Sequence, residues 1–165
     1  MTPSSRWLCR RLLSGADLAR CTCVVEFGPG TACLTRMILA GMPASARLVA
    51  FEVNQEFVRL LGRELPHPRL ILVNDSAEHV ERRLRDMGFG AADCIFSGLP
   101  FTTIPKPVRD RILAAAHSAL RPGGKFIAYQ YSLYLRKTLR GIFGDVRIGF
   151  EPRNIPPAFC FVCTK

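Results

Sequence analysis

The sequence lacks any run of about 18 apolar residues, the length that a helix needs to cross a bilayer. Residues 1–11 also lack the apolar stretch of a secretory signal, so we expect a protein that is made and kept in the cytoplasm. Internal repeats and linkers are missing as well, and 165 residues is the usual size of one domain. The sequence therefore predicts a single domain over residues 1–165.

The seven cysteines lack the pattern of a disulfide framework, because their number is odd and their spacing scattered. Cys160 and Cys163 form a CxxC, but no second CxxC or histidine pair supplies further ligands. Residues three apart on a strand also face opposite sides of the sheet. We therefore predict no metal site, and we interpret the cysteines as small buried hydrophobic residues in a reducing compartment.

Acidic residues are few, 13 against 23 lysines and arginines, which gives a net charge of +10. This excess favours anionic partners, either nucleic acid or an acidic membrane surface, and does not choose between them. Residues 1–20 and 132–143 each interleave basic with apolar side chains, and Trp7 is suited to a membrane interface. Both segments are typical of helices that lie on anionic lipid. The alternatives are packed helices with a solvated basic edge, or contact with RNA phosphates.

Short apolar runs alternate with stretches of helical periodicity. The predicted strands are 23–27, 47–52, 69–73, 93–96 and 125–131, and the predicted helices are 31–40, 55–65, 77–87 and 107–120. This alternation implies a parallel sheet, and two further strands at 146–150 and 158–164 would close it as an antiparallel hairpin. The expected class is α/β: a Rossmann-like three-layer sandwich around a mostly parallel seven-stranded sheet.

Residues 24–31 (VVEFGPGT) predict a strand, a glycine turn and the start of a helix. Gly28 and Gly30 permit a close approach of the backbone to a ligand, and the helix that starts near Thr31 offers free N–H groups. Glu26 stands two residues before the first of these glycines. Ligands of such sheets bind in the crevice outside the carboxyl ends of the strands. We therefore expect a binding site here; the alternative is a tight turn with no ligand.

Polar residues also follow the next two predicted strands. Glu52 and Val53 end the second strand, and an acid there can accept both hydroxyls of a ribose. Asp75 and Ser76 follow the third strand. Glu52 alone could be a helix N-terminal charge, and Asp75 could be a helix cap. Together, the three strand ends predict a nucleoside-containing cofactor, either NAD or S-adenosylmethionine.

The E-x-G-x-G pattern resembles motif I of class I S-adenosylmethionine-dependent methyltransferases. A dinucleotide fingerprint would carry a third glycine where this sequence has Cys33. The resemblance implies S-adenosylmethionine as the cofactor. It also implies that these residues bind it: Glu26, Gly28, Gly30, Thr31, Glu52, Val53, Asp75, Ser76 and Ser97.

The sequence Ser-Gly-Leu-Pro-Phe follows the fourth predicted strand, at residues 97–101. Methyltransferases that act on amino groups place a motif here that orients the acceptor nitrogen. In adenine-N6 methyltransferases this motif resembles N/D-P-P-Y/F. Ser97 can accept a hydrogen bond but lacks the planar amide. This difference argues against methylation of a base amino group.

Four segments resemble bacterial phospholipid N-methyltransferases, which convert phosphatidylethanolamine toward phosphatidylcholine. They are residues 3–8 (PSSRWL), 26–31 (EFGPGT), 97–101 (SGLPF), and 129–131 (YQY) together with 154–158 (NIPPA). The resemblance covers nearly the whole chain and implies an enzyme peripheral to the inner face of the membrane. It implies substrate contacts by Leu99, Pro100, Phe101 and Asn154.

Tyr129 and Tyr131 end the fifth predicted strand. An acceptor amine, with a pKa of about 10, must be neutral to react, so a desolvated site or a nearby base is required. An aromatic wall would hold the increasingly methylated ammonium by cation–π attraction. We therefore assign catalytic roles to both tyrosines and to Ser97; the alternative for the tyrosines is ordinary packing. His79 and His117 fall within predicted helices, and we interpret both as structural.

These observations favour a peripheral S-adenosylmethionine-dependent N-methyltransferase of phosphatidylethanolamine or a related phospholipid amine. The first alternative is an RNA adenine N6-methyltransferase, favoured by the charge and by the Leu-Pro-Phe end of the motif at residues 97–101, although the sequence has no dedicated RNA-recognition module. A second alternative is a lipid- or RNA-binding module that keeps the fold without turnover. An NAD-dependent enzyme is the least favoured.

Overall fold

The computed structural model describes residues 4–165, so the expectation for Pro3 lies outside the described residues. The helices are α1 (Arg6–Leu13), α2 (Cys33–Gly41), α3 (Gln55–Glu64), α4 (Val80–Asp86), α5 (Lys106–Ala119) and α6 (Arg136–Ile142). The strands are β1 (Cys23–Phe27), β2 (Arg47–Phe51), β3 (Leu70–Val73), β4 (Ala92–Ser97), β5 (Leu120–Gln130), β6 (Asp145–Glu151) and β7 (Ala158–Thr164). Two 3₁₀ turns lie at Leu18–Arg20 and Ala77–His79.

The strands form one sheet of seven in the order β3-β2-β1-β4-β5-β7-β6. The first five are parallel, and β7 inserts antiparallel between β5 and β6. Helices α1 and α2 pack on one face, and α4, α5 and α6 pack on the other. The predicted three-layer α/β architecture with its antiparallel C-terminal hairpin is confirmed. The strand order reverses between β1 and β4, which is where such sheets bind ligands.

Two predicted elements differ from the structure. Strand β5 begins at Leu120 rather than Lys125, because Leu120 pairs with Ala92 before the register shifts and Lys125 pairs with Cys94. The residues between them form a bulge, with Gly123 at a φ of 76°. The predicted helix 77–87 is divided into a 3₁₀ turn, capped by the hydroxyl of Ser76, and helix α4.

The two basic amphipathic segments pack their apolar faces inward. In α1, Leu8 and Leu12 are buried, and Leu139 of α6 is buried as well. Guanidinium groups of Arg6, Arg10 and Arg153 also lie over the Trp7 ring. The protein core covers these buried side chains, which agrees with the packed-helix alternative, and contact of the two segments with anionic lipid stays a prediction.

The paired cysteines near the C-terminus face opposite layers, as the spacing predicts. Cys160 packs with α1 and α2, and Cys163 packs with α5 and α6. Within residues 4–165, no three His, Cys, Asp or Glu side chains group in a way that could hold a metal ion. Across the same range, no helix combines the length and the apolar character needed to cross a bilayer.

Candidate active site

The glycine turn after β1 is built for close contact between loops. Gly28 and Gly30 adopt φ values of 69° and 53°, which favour glycine. The Gly28 N–H donates to the Phe51 carbonyl oxygen at 3.0 Å, and a Cβ on Gly28 would lie 3.0 Å from Leu99 Cδ2. The turn is thus held between β2 and the loop after β4, at the crevice of the sheet.

Glu26 is buried beneath this turn. Its Oε2 accepts a hydrogen bond of 2.7 Å from the Thr35 hydroxyl of α2. Burial raises the pKa of Glu26 to about 7, and the bond from Thr35 only partly offsets that effect. Glu26 is thus a buried carboxyl at the glycine turn whose pKa lies near neutral pH. Such a group suits a cationic ligand, because the charge of the ligand would favour the ionised form.

A cavity of about 210 Å³ opens beyond the ends of β2 and β3. Its lining includes the predicted donor residues Gly28, Glu52, Val53, Asp75 and Ser76, together with the apolar Phe51, Leu99, Ile104, Val108 and Ile112. This combination of acidic and apolar residues fits a ribose and a flat base. The polar ends of β2 and β3 meet at this cavity beside Gly28, whereas Glu26 lines a different, smaller cavity.

Asn74 positions the loop that carries Glu52. Its Nδ2 donates to the carbonyl oxygens of Glu52 and Val53, at 2.8 and 3.0 Å. Oε1 of Glu52 also accepts a bond of 2.8 Å from the Asn54 N–H. The loop therefore presents Glu52 at the cavity in a defined conformation.

The side chain of Asp75 is engaged within the protein. Its Oδ1 lies 2.8 Å from His79 Nδ1, and its Oδ2 accepts from Arg83 Nε at 2.6 Å. The bond to His79 is the largest of several contacts that hold the pKa of Asp75 well below its usual range. The Ser76 hydroxyl caps the following turn by accepting from the Glu78 N–H. Ser76 rather than Asp75 is therefore the cap, and both residues line the cavity.

The loop after β4 contacts the glycine turn of residues 28–31, here called the donor turn, through main-chain atoms. The Gly98 N–H donates to the Phe27 carbonyl oxygen at 2.8 Å. A Cβ at Gly98 would lie 2.9 Å from the Gly28 carbonyl oxygen, a distance that real Cβ atoms essentially never show. The buried Gln130 at the end of β5 donates from Nε2 to the Leu99 carbonyl oxygen at 2.9 Å. Only glycine fits at position 98, and Gln130 fastens the rest of the loop.

A second cavity, of about 540 Å³ and here called the acceptor cavity, lies on the other side of the loop after β4. Its lining comprises Gly98, Leu99, Pro100, Thr102, Tyr129, Gln130, Tyr131, Ser132 and Pro156. The rings of Tyr129 and Tyr131 meet edge to face, with centroids 6.0 Å apart. Desolvation raises the pKa of Tyr131, so its phenol stays protonated at neutral pH.

The donor and acceptor sides meet at a small third cavity. Its lining includes Ser4, Glu26, Gly30, Thr31 and Cys33. It shares Gly28 with the cavity beyond β2, and Gly98 and Tyr129 with the acceptor cavity. A ligand across the donor turn would therefore face a second ligand among the tyrosines. This arrangement suits direct transfer of a small group between two bound molecules.

Three predicted site residues do not line these cavities. Phe101 is buried and packs against Phe126, with ring centroids 6.5 Å apart. Ser97 is buried, and its Oγ accepts from the Leu99 N–H at 3.3 Å. Asn154 is buried as well. These buried side chains shape the loops that carry the lining residues. The catalytic and cofactor-binding roles of Ser97 and the substrate contacts of Phe101 and Asn154 stay predictions.

How the N-terminal segment closes this site is not apparent from the sequence. Asn154 Oδ1 accepts from the Ser5 N–H at 2.9 Å, and its Nδ2 donates to the Pro156 carbonyl oxygen at 2.8 Å. The Ser4 hydroxyl donates to the Tyr129 hydroxyl oxygen at 3.2 Å. Ser4 and Tyr129 are 125 residues apart, and no local pattern links them. For Gln130 a signal existed: it is a polar residue between the two predicted site tyrosines.

The histidines lie away from the cavities. His79 pairs with Asp75 at the start of α4, and the His117 ring meets the Phe143 ring edge to face at 5.3 Å. Neither is in the lining of the three cavities described above.

Residues 24–124 match the family model described as a methyltransferase domain. The chain is 28% identical over 169 residues to an ornithine lipid N-methyltransferase from Singulisphaera acidiphila, covering 99% of this chain and 86% of that protein. A precorrin-6y C5,15-methyltransferase from Geobacter metallireducens superposes with a TM-score of 0.73 at 16% identity, covering 96% of this chain and 87% of the other. The structure of PigF with SAH gives a TM-score of 0.66 at 18% identity, covering 92% of this chain and 52% of that chain.

The fold, the cavity beside Glu52 and the match to the family model all indicate the same class of enzyme. The family model covers well over half of the chain, so the chain belongs to the methyltransferase-domain family. It is a class I S-adenosylmethionine-dependent methyltransferase. The predictions of this class and of S-adenosylmethionine as the cofactor are confirmed. The glycine turn, the buried Glu26 and the cavity at Glu52 are the parts of the structure that fit such a donor.

Proposed function

We propose that this methyltransferase acts on the amine of a lipid head group, either phosphatidylethanolamine or a related aminolipid. The observation that carries the proposal is the acceptor cavity, which adjoins the donor turn at Gly98 and Tyr129 and has two tyrosine rings in its wall. The similarity to an ornithine lipid N-methyltransferase supports an acceptor of this kind.

The lining of the acceptor cavity suits an amine that becomes a quaternary ammonium. No carboxylate is among its lining residues, so the neutral amine, the reactive form, is not disfavoured there. The rings of Tyr129 and Tyr131 attract the cationic product through their faces. S-adenosylmethionine supplies the electrophilic methyl group when it is bound. The protein contributes by orienting the amine toward it and by excluding water.

The mouth of the acceptor cavity has the character of a lipid-facing surface. Exposed apolar side chains lie on the two segments that line it: Tyr131, Leu133 and Tyr134 after β5, and Ile155 before β7. The same segments carry exposed basic side chains at Arg136, Lys137 and Arg153. Such a mixture favours shallow insertion among anionic lipids. We therefore propose a peripheral protein on the cytoplasmic face of the membrane, docked by the cavity mouth and the exposed start of α6 rather than by α1.

Methylation of an RNA adenine fits this site less well. An adenine amino group needs an acceptor atom at the loop after β4, and Ser97 at that position is buried with its hydroxyl bonded to the loop itself. RNA therefore serves as the comparison substrate in the test.

The test measures methyl transfer from S-adenosylmethionine with four acceptors. These are phosphatidylethanolamine in anionic vesicles, ornithine lipid in the same vesicles, vesicles without an amine, and RNA. We expect methylated lipid in one or both of the first two reactions only. Transfer to RNA alone would establish the RNA alternative. Donor binding without transfer to any acceptor would indicate a module without turnover.

Variants of Tyr131 and of the cavity mouth separate catalysis from docking. Tyr131→Phe keeps the ring and should retain most activity, whereas Tyr131→Ala should slow the last methylation most, since that step forms the permanently charged quaternary ammonium. Ile155→Ser should weaken vesicle binding, while Leu60→Ser, which changes another exposed apolar side chain, on α3, should not. Equal vesicle binding by both serine variants would refute docking through the mouth.

A further inference from the structure

Two thiols lie side by side next to the donor turn. Cys9 of α1 donates a hydrogen bond from Sγ to Sγ of Cys33, the first residue of α2, at 3.5 Å. Both cysteines are free thiols, and 24 residues separate them in the chain. Neither the donor site nor the acceptor site described above uses this pair as a unit.

The two thiols differ in their access to solvent. Cys9 is fully buried, whereas Cys33 is partly exposed in the small cavity that also contains Glu26, Gly30 and Thr31. Burial raises the pKa of Cys9 to about 12, and the bond to Cys33 and the charge of Glu26 act in the same direction. Cys9 therefore holds its proton and donates it toward Cys33. A small reagent in that small cavity reaches Cys33 first.

We propose that Cys33 and Cys9 form an oxidation site that takes a small hydroperoxide, hydrogen peroxide being the simplest. The Cys33 thiolate attacks the peroxide O–O bond, which gives a sulfenic acid at Cys33 and releases hydroxide. Cys9 sulfur then attacks the Cys33 sulfur, a disulfide forms, and the hydroxyl leaves as water with the Cys9 proton. Two thiols and one peroxide thus become one disulfide and two water molecules.

The disulfide is coupled to the donor site. Disulfide sulfurs lie about 2.0 Å apart, so the two Sγ atoms must come closer by about 1.5 Å. Cys33 comes two residues after Thr31, so this movement pulls on the donor turn. A bound donor, in return, covers Cys33 and slows its oxidation, as linkage between two sites requires. The coupling between the disulfide and donor binding depends on the donor site and not on which amine is methylated.

The chain contains a second close pair that serves as an internal control. Cys21 and Cys94 have sulfurs 3.8 Å apart, and both are buried. Cys21 and Cys94 line a cavity with Arg20 and Arg121, away from the donor turn. A merely distance-driven oxidation would cross-link both pairs at comparable rates and would not respond to the donor.

The experiment treats the full chain with hydrogen peroxide, with and without S-adenosylhomocysteine, and maps disulfides by mass spectrometry after trypsin. The tryptic peptide of residues 7–10 contains only Cys9, so its linkage to residues 21–36, with fragmentation assigning Cys33, identifies the bond. We expect this cross-link in the protein without ligand, slower formation with S-adenosylhomocysteine, and donor binding weakened about tenfold or more until a dithiol reductant restores it.

Single variants make the assignment unambiguous. Cys9→Ser should leave Cys33 to oxidise irreversibly to the sulfinic acid, and Cys33→Ser should leave Cys9 as a free thiol. Cys21→Ser should behave as the wild type. Cross-linking of Cys21 to Cys94 first, or Cys9–Cys33 oxidation that ignores S-adenosylhomocysteine while that ligand demonstrably binds, would overturn the proposal. Because these readouts are masses and donor binding, they stand whether or not a lipid is methylated.

Discussion

Gly98 and Gly28 join the donor and acceptor sides of the site by direct backbone contact. A Cβ on Gly98 would lie 2.9 Å from the Gly28 carbonyl oxygen, and the Gly98 N–H already donates to the neighbouring Phe27 carbonyl. No flexible side chain can yield at this point, because the atom in the way belongs to the main chain. The distance between a molecule bound at the donor turn and one bound in the acceptor cavity therefore depends on residue 98 having no side chain.

Gly98→Ala tests this contact. The added methyl group must separate the two loops, and a misplacement of about 1 Å can cost about a hundredfold in rate, so we expect kcat/KM to fall by about that factor. The free energy of unfolding should fall by about 1–3 kcal/mol, as for other overpacked sites. Gly90→Ala is the matched control, since nothing lies within 4 Å of its added Cβ. Steady-state kinetics and urea unfolding of both variants decide the matter; an unaffected Gly98→Ala enzyme would disprove the contact.

Glu26→Gln should change how stability depends on pH. The folded pKa of Glu26 is about 7, above its ordinary 4.5, so its stabilising contribution is fully present below 4.5 and is lost as the pH rises through 7. Glutamine has no such titration. Relative to the variant, the ligand-free wild type should therefore lose about 3 kcal/mol between these two values of pH.

Denaturant unfolding at a series of pH values measures the difference between wild type and Glu26→Gln. Taking the difference cancels the stability contributions of acids whose pKa values are lowered. Glu151 is one of these acids: its pKa is about 2 beside Arg153 and Arg11, and its contribution is lost as the pH falls. A difference that stays constant from pH 4.5 to 7 would show that Glu26 does not titrate there.

Gln130→Leu should loosen the acceptor loop. The substitution removes the bond to the Leu99 carbonyl oxygen and leaves that buried acceptor unpaired, which costs about 1–3 kcal/mol of stability. We expect a higher KM for the acceptor and little change in donor affinity, because the loop lines the acceptor cavity. The exposed Gln55→Leu is the control. Equal effects on both affinities would indicate a general loss of structure instead.

Asn154 should control how firmly the N-terminal segment is held. Asn154→Leu removes both the bond from the Ser5 N–H and the bond to the Pro156 carbonyl, whereas Asn154→Asp keeps an acceptor for Ser5. Trypsin cleavage after Arg6 and Arg10, both exposed, reports opening of the segment. We expect the fastest cleavage in Asn154→Leu and an intermediate rate in Asn154→Asp. Identical rates in all three proteins would mean that other contacts hold the segment.

Much of the fold and of the donor site could be predicted because the signals are local. Strands β1 and β7 have the predicted bounds, and the other strands differ mainly at their ends. Glu26, Gly28 and Glu52 stand at the ends of strands, where a parallel sheet gathers them at one edge whatever the details of packing. The family class followed from the same residues.

The acceptor side was predicted less well because it is built from contacts between distant segments. Phe101 and Asn154 belong to motifs that are adjacent to the cavity, but the sequence does not show which way a side chain in a loop points. In the structure Phe101 enters the core and Pro156, two residues after Asn154, lines the cavity. The sequence also did not show what covers the apolar faces of the amphipathic helices, since a helix with an apolar face packs equally well on lipid or on a sheet.

The sequence by itself determined the alternating α/β order, the antiparallel end of the sheet and the polar residues at three strand ends, because these depend on periodicity and on residue types within short windows. Only the tertiary structure decided that Gly98 touches Gly28, that Ser4 reaches Tyr129 and that Cys9 meets Cys33. Such contacts depend on how layers of the protein stack and not on neighbouring residues in the chain. They are formed when burial of the apolar faces brings α1, α2 and the loops of the crevice together.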